Sequence, residues 1–188
     1  MKLFPWLAAS LLAFLCACGH ESEPGTATNG ARVAAAKAGA AAVAPTAQAL
    51  AATPSTAVAI LHDYLAAWNA HDANRAGAFL DDDSQYFDAA FAGMQRGRQA
   101  IVDNAISVFL RGMPDLHWEI RGEPIASPDG VAYEWTLTGT NTGTWGGVRP
   151  TSQKINLKGV SFVRIRNGKI VYQAVVYDSA ALNRQLGL

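Results

Sequence analysis

The chain has 188 residues, half of them apolar, and its 15 basic and 15 acidic side chains cancel to a formal charge of zero. That length suits one globular domain and hardly two, and a chain without a basic surplus lacks the electrostatic footprint of a nucleic-acid binder. The balance is the same over residues 56–188, with 12 Lys and Arg against 13 Asp and Glu, so no nucleic-acid partner is expected.

Lys2 is followed by an apolar run from Leu3 to Ala17. The run is shorter than the roughly 20 residues that cross a bilayer as a helix and suits a secretory signal peptide. It ends in Leu15-Cys16-Ala17-Cys18-Gly19, which resembles a bacterial lipobox. The resemblance implies cleavage after residue 17 and lipidation of Cys18. The product would be a lipoprotein tied to the membrane at the cell envelope. With Gly19 rather than Asp after the cysteine, it implies the outer membrane, periplasmic side, where there are two membranes. An ordinary signal peptide with two incidental cysteines is the alternative. Cleavage there leaves one cysteine, blocked by lipid, and so no disulfide pair.

Residues 18–55 are rich in Ala, Thr, Pro and Gly. They cannot bury enough surface to offset their ordering entropy, and read as a tether spanning roughly 30–36 Å as a coil.

From Thr56 the pattern becomes amphipathic. Val58, Leu61, Leu65 and Trp68 recur at helical spacing and predict a first helix. Asp72 is placed to cap a second short helix carrying Ala76, Phe79 and Leu80. Asp81-Asp82-Asp83, unfavourable at a helix C-terminus, mark its end. Residues 84–88 read as a strand, and 98–111 as a third helix burying Ile101, Ala105, Val108 and Phe109. After Pro114 the period becomes two. Residues 117–125 form a strand with Trp118 and Ile120 on one face. Beyond an Asp129-Gly130 turn, Val131, Tyr133, Trp135 and Leu137 alternate with Ala132, Glu134, Thr136 and Thr138. Residues 155–166 and 169–177 pair about Asn167-Gly168, and 178–186 close as a helix. The prediction is an α+β domain over residues 56–188, a cone-shaped roll of three N-terminal helices packed on a curved, mostly antiparallel sheet, with a short C-terminal helix.

Several strings in this order resemble the SnoaL-like branch of the nuclear-transport-factor-2-like superfamily. They are Trp68-Asn69-Ala70-His71-Asp72, Arg96-Gly97-Arg98-Gln99-Ala100-Ile101, Met113-Pro114-Asp115-Leu116, Leu137 to Gly143, Pro150-Thr151, Asn167-Gly168-Lys169-Ile170 and Arg184-Gln185-Leu186-Gly187. The resemblance implies a cone with a pocket at its mouth, in a family of polyketide cyclases, ester-cyclase-like proteins, isomerases and dehydratases. It also places the family's general base at Val175 and a supporting histidine at Ser161, and Asn141 replaces a further histidine. Valine accepts no proton, so the cyclase mechanism does not carry over unless another carboxylate has moved in.

If position 175 faces the pocket, the two-residue period brings Val171, Gln173 and Tyr177 with it. Tyr133, Trp135, Leu137, Trp145 and Tyr86 complete the expected ligand-binding set. Aromatic rings with a few polar tips suit a small-molecule site, and the same residues also serve as plain core. Asp88 and Asp178 end the first and last strands and are the candidate bases, with Tyr86 or Tyr133 as acid. Against this, Asp88 also reads as a turn or surface residue and Asp178 as a helix cap. His117 reads as a solvent-side residue, as do His62 and His71. No metal-ligand spacing, nucleophile elbow, phosphate loop or dinucleotide fingerprint is present, so neither metal nor cofactor is expected.

The leading expectation is therefore an envelope-anchored domain binding a small apolar molecule, without an established reaction. The alternatives are a cofactor-free enzyme with a pocket Asp as base, and a homodimeric interaction scaffold using Val160 and Phe162 on the outer sheet face.

Overall fold

A computed structural model describes residues 53–91 and 93–188. The signal segment, Cys18 and all but the last three tether residues lie outside the described residues. The first helix, α1 (Pro54–Asn69), opens where Thr53 Oγ1 accepts from the Thr56 amide and Pro54 occupies the first turn, a position where its missing N–H costs nothing. It buries Leu61, Tyr64, Leu65 and Trp68 on one stripe. After it, Asn69 reaches across to the backbone of Trp118, donating to its carbonyl at 2.9 Å and accepting from its amide at 2.8 Å. His71 adopts a left-handed φ of 56° and bonds the Leu116 carbonyl. The Trp-Asn-Ala-His-Asp string thus stitches α1 to the far side of the sheet.

Asp72 caps α2 (Ala73–Gly77) as expected, accepting from the Arg75 amide at 2.9 Å. The helix ends sooner than predicted. Leu80 and the three aspartates belong to β1 (Leu80–Asp88), so the acidic run is not a helix exit. Register with β6 is broken between Leu80 and Gln85. On that irregular stretch Asp82 and Asp83 are exposed, and Asp82 pairs with Arg98 at 2.9 Å. The three aspartates thus fall in a bulge between two stretches that pair with β6.

A two-residue strand, β2 (Gln95–Arg96), precedes a continuous helical segment made of α3 (Arg98–Ile101), a π-helical turn (Val102–Ile106) and α4 (Ser107–Gly112). The π turn inserts a residue and widens the buried face. Val102 and Ile106 join Ile101, Ala105 and Phe109 inside, while Val108 is only half-buried.

The long strands are β3 (His117–Ser127), β4 (Gly130–Thr140), β5 (Lys154–Arg166) and β6 (Lys169–Tyr177), and α5 (Ser179–Leu186) closes the chain. One six-stranded sheet results, in the order β2-β1-β6-β5-β4-β3. All neighbours are antiparallel except β1 and β6. Val131, Tyr133, Trp135 and Leu137 all point into the core, as their alternation predicts, and Asn167-Gly168 makes the β5–β6 turn with both φ positive. In β3 the alternation fails after Gly122: register shifts between Arg121 and Ile125, and Ile125 is 77% exposed. The architecture is the expected α+β cone, with α1 packed across β3 and β4. Among the described residues no helix is long and apolar enough to cross a membrane.

Candidate functional site

Strand register lays the inward side chains in rows. Asp88 on β1 stands beside Val175 on β6, which pairs with Ser161 on β5, which pairs with Tyr133 on β4. A second row holds Tyr86, Gln173, Val163 and Val131. A third holds Tyr177, Gly159, Trp135 and Ile120. Positions 175 and 161, to which the family resemblance assigns a base and its partner, are therefore direct cross-strand neighbours. Although they hold Val and Ser, an aspartate lies one strand over.

That aspartate is buried, with 1% of its surface exposed, which corrects the surface reading of Asp88, whereas the turn reading stands: Asp88 also holds the turn that follows it, its carbonyl accepting from the Phe91 amide. Its Oδ1 accepts from the Ala90 amide and the Tyr177 hydroxyl, both at 2.8 Å, and its Oδ2 accepts from the Tyr86 hydroxyl at 3.1 Å. Burial pushes the carboxyl above its ordinary value, and the three donors offset this only in part. Burial and the neighbouring carboxylate hold the Tyr86 and Tyr177 hydroxyls well above theirs, so both remain protonated donors. A carboxylate in this setting can take up a proton near neutral pH more readily than one in water.

Behind Asp88 lies a second polar group. Tyr64 donates to Gln173 Oε1 at 2.9 Å and the Trp135 indole donates to Ser161 Oγ at 2.9 Å. The Tyr133 hydroxyl stands close to Ser161 and Gln173 but completes a hydrogen bond with neither, and the indole N–H groups of Trp68, Trp118 and Trp145 are likewise buried without an acceptor. Such orphaned buried donors are uncommon and call for a partner.

The remaining interior is aromatic. Trp118 meets Trp135 edge to face at 4.6 Å, and Trp68 meets Trp118 at 6.0 Å and Phe109 at 6.3 Å. Phe109 in turn packs on Phe91 at 5.6 Å and on Trp145 at 5.4 Å. In this arrangement Trp135 and Trp145 plug the cone. Leu137 lies farther off, paired with Leu157 and Trp118 as core.

Asp178 does not join this group. Its side chain is exposed, accepts from the Ala181 amide at 2.9 Å to cap α5, and meets Arg184 at 3.2 Å. The amide bond is the main cause that holds its carboxyl below the usual range. An exposed carboxylate with a lowered pKa is a poor base, so the capping reading replaces the catalytic one. Asn141 is buried and structural. It donates to the Gly112 and Gly143 carbonyls and accepts from the Thr151 amide and hydroxyl. His62 and His117 are exposed. His71 is also on the surface, although its ring holds the Leu116 carbonyl.

Sequence reasoning missed Tyr64 and Phe91 as cone residues and read Trp118 and Phe109 as an inward strand face and plain core without joining them to the site. Tyr64 was within reach, since it lies three residues after Leu61 and four before Trp68 on the same helical stripe.

The model of the SnoaL-like polyketide cyclase family matches residues 58–186. No curated protein matches the chain. Among solved structures, AclR, a candidate hydroxylase from Streptomyces galilaeus, is 26% identical with a TM-score of 0.61, over 72% of this chain and 98% of that one. A candidate SnoaL-like polyketide cyclase from Jannaschia sp. CCS1 is 15% identical with a TM-score of 0.64, over 71% and 92%. A candidate polyketide cyclase from Xanthomonas campestris pv. campestris is 21% identical with a TM-score of 0.60, over 71% and 98%. With its matched residues forming the whole cone and its strands in this order, the chain belongs to the SnoaL-like polyketide cyclase family and has the nuclear-transport-factor-2-like fold.

Proposed function

We propose that the cone binds a small, largely apolar ring compound and that Asp88 exchanges a proton with it, without metal or cofactor. The observation that carries this is the buried Asp88 carboxylate, fixed by Tyr86 and Tyr177 beside the Val175–Ser161 pair. A carboxylate from β1 stands in for the one absent at position 175. The reaction class this suits is removal of an acidic C–H proton and its return elsewhere, as in an isomerisation or cyclisation. The test begins with a thermal-shift screen of ring ketones and polyketide-like acids on the full chain, where a ligand at a hundred times its dissociation constant stabilises by about 2.7 kcal/mol. Deuterium incorporation from solvent into the best ligand is then followed. Asp88→Asn should slow incorporation by about 100-fold or more while ligand binding persists. Equal incorporation by parent and variant removes Asp88 from the role.

The lipobox motivates the second part of the proposal, that Cys18 carries lipid and holds the domain at the envelope. Mass spectrometry of the mature N-terminus tests it. An unmodified Cys18, or cleavage elsewhere, overturns it.

A dimeric form is a second reading, favoured by the outer sheet face. There Ile125, Ala132, Phe162, Ala174 and Phe87 form one cross-strand row over five strands, with Val160 and Val176 beside it. Analytical ultracentrifugation of the parent and of Phe162→Lys decides it. A parent that is monomeric at micromolar concentration ends the reading.

A further inference from the structure

Between the Asp88 turn and α5 lies an open cleft of about 470 Å³, lined by Ala90, Phe91, Trp145, Val148, Leu182 and Asn183 among others. Ala89, which follows Asp88, and Ser179, two residues after Tyr177, line this cleft, yet Asp88 itself is buried and does not line it. The inner wall of the cleft is aromatic. Trp145 faces the cleft on one side and packs on Phe109 on the other, and Phe109 is backed by Phe91.

The way Trp145 is held differs from every other aromatic of the cone. It stands on a hairpin tip whose turn is Gly146-Gly147, both with positive φ and with open space around each Cα. Among the described residues, the backbone hydrogen bonds of 144–149 are the reciprocal pair between Trp145 and Val148, at 3.0 and 2.7 Å. The tip is bonded to itself, whereas its stem is fixed by Asn141 to Gly112, Gly143 and Thr151. The indole is seated over Gly112, where an added Cβ would stand 2.5 Å from Trp145 Cβ, and its buried N–H has no acceptor. Swinging the indole outward therefore breaks no hydrogen bond, and it frees an orphaned donor to reach water.

We propose that Trp145 is a gate. The 144–149 tip carries its indole off Gly112 and Phe109, the outer cleft becomes continuous with the aromatic interior at Phe109, and the vacated seat takes a flat, fused-ring ligand of about indole size. The proposal rests on the small-molecule reading above, but its motion is measurable without a ligand.

Hydrogen exchange of the indole N–H groups, followed by nitrogen-15 NMR on the full chain and assigned with Trp→Phe variants, is the first measurement. Trp68, Trp118 and Trp145 are all buried and unbonded, so differences report opening. The Trp145 N–H should exchange at least about 100-fold faster than the other two and be insensitive to low urea. Exchange of all three at one urea-dependent rate overturns the gate. The second measurement is the association rate of N-phenyl-1-naphthylamine, a neutral dye that fluoresces when buried. Gly112→Ala crowds the closed seat and Trp145→Ala removes the gate, and each should speed association at least tenfold. An unchanged rate in Trp145→Ala refutes gating even where Gly112→Ala fails to fold. Dye that binds neither the parent nor Trp145→Ala, alongside fast Trp145 exchange, sinks the small-molecule reading while the motion stands.

Discussion

Gly159→Ala probes the packing of the cone with a single methyl. Gly159 lies directly across from Trp135, and its added Cβ would stand 2.2 Å from Trp135 Cζ2, 2.5 Å from Cη2 and 2.5 Å from the Val176 carbonyl oxygen. Carbon atoms pack best at about 3.5–4.0 Å, so the ring has to move by more than about 1 Å. It has little room, being bonded to Ser161 and enclosed by Trp118 and Tyr177. Overpacking of this kind costs about 1–3 kcal/mol, and losing the Trp135–Ser161 hydrogen bond adds about 1 kcal/mol. Replacing a strand glycine returns about 0.5–1 kcal/mol of chain entropy. The expected net loss is about 2–3 kcal/mol, read as a lower urea midpoint at unchanged slope. Adding Trp135→Phe removes the two ring contacts but not the one to Val176, so the pair should be about 1 kcal/mol more stable than the sum of the singles. A Gly159→Ala protein with the parent's midpoint, or strict additivity in the double variant, refutes the packing argument.

Three further outcomes follow from the site. Asp88 has its folded pKa raised above an unfolded value of about 3.9, so its contribution to stability is complete below that pH and is lost as pH rises through the folded value. Asp88→Asn removes this dependence, and the stability of variant minus parent should grow from pH 4 to pH 8 in paired melts; a flat difference would contradict the raised pKa. Asp178→Ala should lower the melting temperature slightly through the lost cap and leave proton exchange by the cone unchanged, whereas a loss of exchange would restore Asp178 as a base. Asn141→Ala takes the side-chain donor from the Gly143 carbonyl, while the Gly112 carbonyl and the Thr151 amide keep their backbone partners; it should lower stability by about 1–2 kcal/mol, and a melt matching the parent's would show that the stem is held by other means.

The fold was legible wherever one local rule dominated. The period of two in 131–137, the Asn167-Gly168 turn and the Asp72 cap each depend on a few adjacent residues, and each formed as read. Departures occurred where distant partners decide. Asp81–Asp83 lie in a bulge of β1 because the stretches on either side pair with β6, and Val102 turned inward because a π turn rephased the helix. The site divides the same way. Tyr133, Trp135, Gln173, Val175 and Tyr177 share an inward face, as strand alternation requires. Asp178 was legible as a helix cap from the Ser-Ala-Ala-Leu that follows it, whereas the burial of Asp88 was hidden, since only the register of β1 on β6 turns it inward.

The link from Asn69 to Trp118 also governs how the protein meets copies of itself. It occupies both main-chain groups of Trp118 on β3, the outermost strand on that side. Further along β3, Gly122 with φ 67° interrupts the ladder, Pro124 offers no N–H, and Glu119, Arg121 and Glu123 stand exposed. The opposite border, β2, is two residues long. Neither flank offers a run of free amides able to recruit another strand. Among the described residues, both borders of the sheet therefore resist the strand addition that builds fibres. Replacing Pro124 and Gly122 with β-branched residues would restore an amide and extended backbone on the β3 flank and open it to edge-to-edge pairing.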